Sequence, residues 1–302
     1  MEYNFFVVDV FSSVKLKGNP VMIVISEVEV GAEKMQAFSS WNGMPETVFL
    51  TKGSSKGKSD YSVRIFSSRR ELPFAGHPSL GAAHVALELG WIESFEKRHS
   101  DIENDDAILI TQTCNVGEVD IRVNITDGGY NQVYVKTPSA GRFEKMSVQD
   151  SNSVEIAIGS HRSVDCYLVQ AGACWIVAKL DNQSDLESLV PEMNEIEFLS
   201  NKYSASGITV YAPVEDADLS RIEVRSFGPA IGVPEDAICG GGNTCVAVLE
   251  NHLSNGDFTE YKAKQGRFVG RDGVAHLIGP VEDNRYWVGG CTSTVMRGTV
   301  TL

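Results

Sequence analysis

The chain has 302 residues, 42% of them apolar and 22% charged, an ordinary globular composition with enough length for two domains. Its 26 Lys and Arg against 40 Asp and Glu leave a net charge of −14, which excludes nucleic acid or an anionic membrane as the main partner, because gripping phosphates takes clustered cations. No apolar run reaches membrane-spanning length, the start lacks the basic segment of a secretory signal, and six cysteines without a CxxC pair predict a reduced, cytoplasmic protein.

In chain order, β-branched and aromatic runs predict strands over Phe5–Phe11 and, after a Gly18-Asn19-Pro20 turn, Val21–Ile25. A helix follows over Ala32–Ser39, then strands over Thr47–Thr51 and Tyr61–Phe66, with polar Lys52–Asp60 as a hairpin tip. The second helix covers Ser79–Leu89. Strands at Ile108–Ile110, Val119–Val123 and Gln132–Lys136 precede a polar stretch without a period, Gly141–Ser153, which reads as a connection. Then come strands at Cys166–Val169, Trp175–Lys179, Ile208–Tyr211 and Ile222–Phe227, a helix over Asn243–Asn251, and strands at Phe268–Arg271, Arg285–Val288 and Gly298–Leu302. Many strands with few helices between them predict an α+β fold rather than alternating parallel units.

An internal repeat organises this list. Arg64-Ile-Phe66, Glu71 and Ala75-Gly76-His77 match Arg225-Ser-Phe227, Glu235 and Cys239-Gly240-Gly241, with a constant offset of 164 from Glu71 and Glu235 onward. Each copy reads strand, acidic turn, glycine, apolar helix. A repeat of half the chain predicts two similar domains with their glycine turns facing across a cleft. Free amides and the helix dipole make each turn a candidate anion site, with Gly76, Gly240 and Gly241 as ligand-binding positions. Neither turn is a Walker loop or a G-x-G-x-x-G fingerprint, so no nucleotide cofactor is expected.

Four side chains near these turns carry candidate chemistry. Glu46 precedes an apolar strand, where desolvation suits a carboxylate to general-base work. His77 sits at a helix start that biases it toward neutral. Asp236 is either an acid/base group or a cap on the following helix. Cys239, at a helix N-terminus, is either reactive or a small buried residue. The other histidines show no metal-ligand spacing, so no metal is expected.

These residues, with Val8-Asp9-Val10-Phe11, Glu46-Thr47-Val48-Phe49, Glu71 through Gly81, Val224 through Pro229, Gln265-Gly266, Gly270-Arg271 and the closing glycines, resemble the PhzF-like (phenazine biosynthesis) family of isomerases, within the diaminopimelate epimerase fold. The resemblance implies two pseudo-symmetric domains, each a barrel-like, mostly antiparallel sheet around a central helix. These would be 1–130, completed by a strand at about 293–302, and 131–292, with the active-site cleft between them. It also implies a cofactor-independent homodimer that shifts a proton on a small carboxylate-bearing metabolite, with Glu46, His77 and Asp236 in the family's acid/base positions. The second turn departs from the family's Asp-Pro-x-Thr-Gly-Ser: Cys239 stands for the threonine, and Gly241 lacks the serine hydroxyl. A thiol partner in the first turn would fall on Ala75, which cannot titrate, so a two-thiol epimerase is not expected. A dehydratase or lyase, a non-catalytic binding protein, and a thiol redox protein using Cys239 and Cys245 are the rivals.

Overall fold

The computed structural model describes residues 1–28, 30–53, 59–92, 107–126, 129–214 and 220–302; most of the hairpin tip expected at Lys52–Asp60 lies outside them. The chain divides into two compact units, one of residues 1–136 with 289–302 and one of residues 137–288.

The first unit contains β1 (Glu2–Val10), β2 (Asn19–Ile25), α1 (Ala32–Trp41), β3 (Glu46–Lys52), β4 (Tyr61–Ser67), β5 (Glu71–Leu72), α2 (Gly76–Glu88), β6 (Ala107–Cys114), β7 (Gly117–Thr126) and β8 (Gly129–Lys136). The second contains β9 (Arg142–Lys145), α3 (Val148–Ile158), β10 (Cys166–Ala171), β11 (Ala173–Lys179), α4 (Gln183–Glu187), α5 (Met193–Lys202), β12 (Ile208–Pro213), β13 (Ser220–Gly228), β14 (Val233–Asp236), α6 (Gly240–Leu253), β15 (Glu260–Gln265) and β16 (Gly273–Val281). The long β17 (Arg285–Thr301) joins two runs expected as separate strands, and from Gly289 onward it belongs to the first unit.

In the first unit β1, β2, β3, β4, β6, β7, β8 and β17 pair in turn, and β17 returns to β1, so these strands close a barrel. Closure removes the exposed edges that would invite aggregation. The second unit repeats the order of pairings. There, β11 and β12 are parallel, β12 and β13 antiparallel, β13 and β15 parallel, and β14 lies antiparallel on β13. In the first unit, β2 with β3, β3 with β4, β4 with β6 and β5 on β4 do the same. The repeat read in the sequence is therefore a repeat of topology.

A helix buried nearly all round lies at the centre of each unit. α2 packs against β1, β2, β3, β4 and β8; α6 packs against β9, β10, β11, β12 and β16. A helix without a polar face has to be enclosed. Small residues let the strands approach: a Cβ on Gly81 would stand 2.5 Å from Val21. An outer layer covers the far side of each sheet. Met35 and Phe38 of α1 pack on Tyr3, Val24 and Phe49, while α3 and α5 bring Val154, Ile158, Ile196 and Leu199 onto Ile176, Val210 and Phe227. Strands such as β1 are thus buried on both faces, which explains their unbroken apolar runs.

Two expectations need correction. Gly141–Ser153 is not a plain connection, since it contains β9 and the first half of α3. Ser147 caps α3 by accepting from the Asp150 amide, and Gly159 ends it in the left-handed conformation. Phe268–Arg271 is not a strand. Arg267–Val269 is one tight helical turn between Gly266 (φ +107°) and Gly270 (φ +74°). A pleated run cannot continue through two positive-φ glycines.

At Gly289, where β17 pairs with β8, a Cβ would lie 2.4 Å from the Val133 carbonyl oxygen and 2.3 Å from the Tyr134 ring. The Gly289→Ala variant is expected to lose about 3 kcal/mol of stability in urea unfolding, because backbone rather than a flexible side chain must give way.

Candidate functional site

Glu46 is the first residue of β3. The turn before it is set by Asn42, whose Oδ1 accepts from the Met44 amide at 2.9 Å and whose Nδ2 donates to Thr47 Oγ1 at 2.8 Å. This buries the carboxyl among apolar strands, leaving Glu46 8% exposed. His77 is the second residue of α2 and 5% exposed. Its Nε2 lies 3.3 Å from Glu46 Oε2. The fold thus brings together two candidate residues that are 31 positions apart in the chain.

The imidazole also bonds to the Pro20 main chain. Proline has no amide hydrogen, so the ring donates to the Pro20 carbonyl. Since Nε2 makes no well-directed hydrogen bond, Nδ1 is assigned as the donor. Burial pushes the imidazole down to about 3, and the Pro20 bond offsets this in part. At neutral pH the ring is therefore uncharged, with the Nε2 lone pair toward the Glu46 carboxyl. The Pro20 carbonyl is itself held in place. Buried Asp9 accepts from the Lys17 and Gly18 amides, both at 3.1 Å. A Cβ on Gly18 would meet the Val10 carbonyl oxygen at 2.3 Å, so the turn closes only around glycine.

At the start of α2, the Gly76 and His77 amides have no partner among the described residues, and Pro78 has no amide hydrogen. Ser79 is already inside the helix, its amide reaching the Ala75 carbonyl. Two donors therefore remain open beside the Glu46–His77 pair.

The second unit builds its turn with the same parts. Arg64 pairs with Glu71 through two bonds of 2.8 and 2.7 Å, and Arg225 with Glu235 through two of 2.9 Å. The Arg64 bonds hold the Glu71 carboxyl below its usual range. Ser79 Oγ donates to the Ala75 carbonyl and accepts from Gln112; 164 residues on, Asn243 donates to the Cys239 carbonyl and to Gln265 Oε1. Gln265 also accepts from the Cys239 amide at 3.1 Å and donates to the Asp236 carbonyl at 3.1 Å. This one buried side chain fixes both ends of the Asp236–Cys239 turn, a part that the sequence reading did not assign. Gln265→Leu would strand the Cys239 amide and the Asp236 carbonyl. It is expected to cost about 3 kcal/mol, measured by chemical denaturation.

Asp236 ends β14, half-buried, and does not cap α6. The cap is Cys239, whose Sγ accepts from the Gly242 amide at 3.2 Å. The Gly240 and Gly241 amides have no partner among the described residues. Cys245 lies within α6, and its thiol donates to the Val169 and Ala173 carbonyls. Burial pushes it well up, which argues against a redox partnership with Cys239. None of the six cysteines forms a disulfide. Among the described residues, no three His, Cys, Asp or Glu side chains converge as metal ligands, and no helix is long and apolar enough to cross a membrane.

Comparison with known proteins agrees with this architecture. The chain is 27% identical over 306 residues to antisense-enhancing sequence 1 of Schizosaccharomyces pombe, covering 98% of each. It is 28% identical over 312 residues to a trans-2,3-dihydro-3-hydroxyanthranilate isomerase of Pseudomonas fluorescens, covering 99% of this chain and 100% of the relative. The crystal structure of a Bacillus anthracis phenazine biosynthesis protein of the PhzF family superposes over 100% of both chains with a TM-score of 0.81 at 20% identity, which shows a shared fold. The family model for phenazine biosynthesis-like proteins, PhzC-PhzF, matches residues 8–298, and the chain belongs to that family.

Proposed function

We propose that the chain is an isomerase that moves a proton on a small carboxylate-bearing metabolite by acid/base catalysis, without metal or organic cofactor. The observation that carries this reading is the buried Glu46–His77 pair, 3.3 Å apart, with the ring neutral. A carboxylate facing an imidazole lone pair has room for one proton between them. Glu46 takes the proton from the carbon next to the substrate carboxylate, and the C–H electron pair moves into the carboxylate to form an enediolate. The proton on Glu46 Oε2 then hydrogen-bonds to His77 Nε2, which keeps it ready for return. The enediolate is the costly species, and preorganised donors lower its energy most effectively in a dry site. The open amides of Gly76 and His77 are proposed for that task, and those of Gly240 and Gly241 for holding carboxylate charge.

Asp236 and Cys239 are the proposed acid groups of the second turn. Return of the proton to another carbon is isomerisation; return to the opposite face of the same carbon is epimerisation. Similarity to the trans-2,3-dihydro-3-hydroxyanthranilate isomerase supports the first outcome. A homodimer in the reducing cytoplasm is the proposed setting. The test is incubation with a panel of cyclic unsaturated, hydroxy and amino acids, followed by mass spectrometry and NMR. A product of unchanged mass with a relocated hydrogen is expected. Loss of water would overturn isomerisation in favour of dehydration.

A further inference from the structure

Trp175 lies on β11 beside the N-terminus of α6. It is 2% exposed, yet its indole N–H has no hydrogen-bond partner among the described residues. The ring is enclosed, but Nε1 itself is not fully buried, so this N–H is open to an acceptor from outside the chain. Two glycines make space for the ring. A Cβ on Gly207 would stand 2.7 Å from the far edge of the indole, and one on Gly241 would stand 3.1 Å from Nε1. The Nε1 edge of the ring therefore lies against the position where a side chain of residue 241 would begin, at the N-terminus of α6.

We propose that Trp175 is a substrate-binding residue whose indole N–H joins the Gly240 and Gly241 amides in a three-donor cradle for a carboxylate. Indole donates and never accepts, so the ligand atom beside Gly241 is an acceptor oxygen. An ammonium group at that position would leave the N–H unpaired and be rejected. A side chain at position 241 would compete for the same volume, so the indole supplies the donor that glycine cannot. The inference rests on the reading of the α6 turn as a carboxylate site.

The experiment uses the whole protein with its four tryptophans labelled at the indole nitrogen and its glycines at the amide, titrated with benzoate and with L-proline. Replacing Trp41, Trp91 and Trp287 by Phe in turn assigns the Trp175 resonance by elimination. The Trp175 indole signal and the Gly240 and Gly241 amides are expected to shift together with one dissociation constant. Trp175→Phe should weaken that constant about tenfold, the worth of one hydrogen bond to a charged group. If the glycine amides shift and the indole does not, the proposal is overturned while the carboxylate site stands. If neither shifts with either probe, the site reading fails and the proposal with it.

Discussion

Glu46→Gln is expected to lower turnover by about 10³-fold or more at saturating substrate, with KM changed little. A positioned general base contributes roughly 10²- to 10⁴-fold, and an amide cannot take a proton from carbon. Glutamine keeps the size of the side chain and the 3.3 Å approach to His77 Nε2, and its amide N–H can donate to that lone pair, so the fold should be unharmed. The expected pattern is therefore a loss confined to kcat, the signature of an interaction made in the transition state. Equal losses in Glu46→Gln and Glu46→Ala would agree with this assignment. Turnover within a few-fold of wild type would remove Glu46 from the chemistry.

The second large effect concerns pH. His77 is held near 3 in the folded protein against 6.5 in an unfolded chain. Above about pH 6.5 the ring is neutral in both states, and its burial costs nothing in protonation. As pH falls through the unfolded value, the unfolded chain binds a proton that the folded chain refuses, so stability falls with pH until the folded ring itself protonates near 3. At pH 4.5 this amounts to about 2.5 kcal/mol, at 1.36 kcal/mol per unit. His77→Gln lacks this term, while the carboxylates common to both proteins cancel in the comparison. Urea unfolding at pH 7 and pH 4.5 is expected to show wild type losing about 2.5 kcal/mol more than His77→Gln. Parallel losses in the two proteins would mean that the ring is not buried neutral.

Much of the fold could be read from local pattern. The repeat was visible because each copy needs the same parts in the same order: an Arg–Glu pair, an extended cap residue, and an unobstructed helix start. Ala75 and Cys239 look unrelated as residues, yet both are N-caps in extended conformation. The outer helices were harder to read. α5 turns only Ile196, Leu199 and Ser200 into the core, and α3 is rich in Ser, Asn and Asp, so their stability comes from packing on the sheet rather than from propensity. Phe268 looked like a strand residue because it is apolar; it lies instead beneath the Arg225 and Arg267 guanidinium groups, 4.1 and 4.2 Å from its ring centre.

The candidate residues divide in the same way. Glu46, His77, Asp236 and Cys239 could be picked out because each stands beside a turn. That Glu46 meets His77, that the Pro20 carbonyl fixes the ring, and that Gln265 ties Asp236 to Cys239 depend on strand pairing across long separations. No local spacing records such contacts. Trp175 read as one aromatic of a strand, and only the glycines packed around its ring mark it as a candidate for binding.

The most direct test of the account is proton exchange into substrate. Wild type and Glu46→Gln are incubated in D₂O with the acid panel, and deuterium is followed by NMR. The account predicts that one compound gains solvent deuterium at carbon with wild type, at a rate lowered about 10³-fold in Glu46→Gln. A compound turned over by wild type without any solvent deuterium entering carbon, or with exchange undiminished in Glu46→Gln, would contradict it.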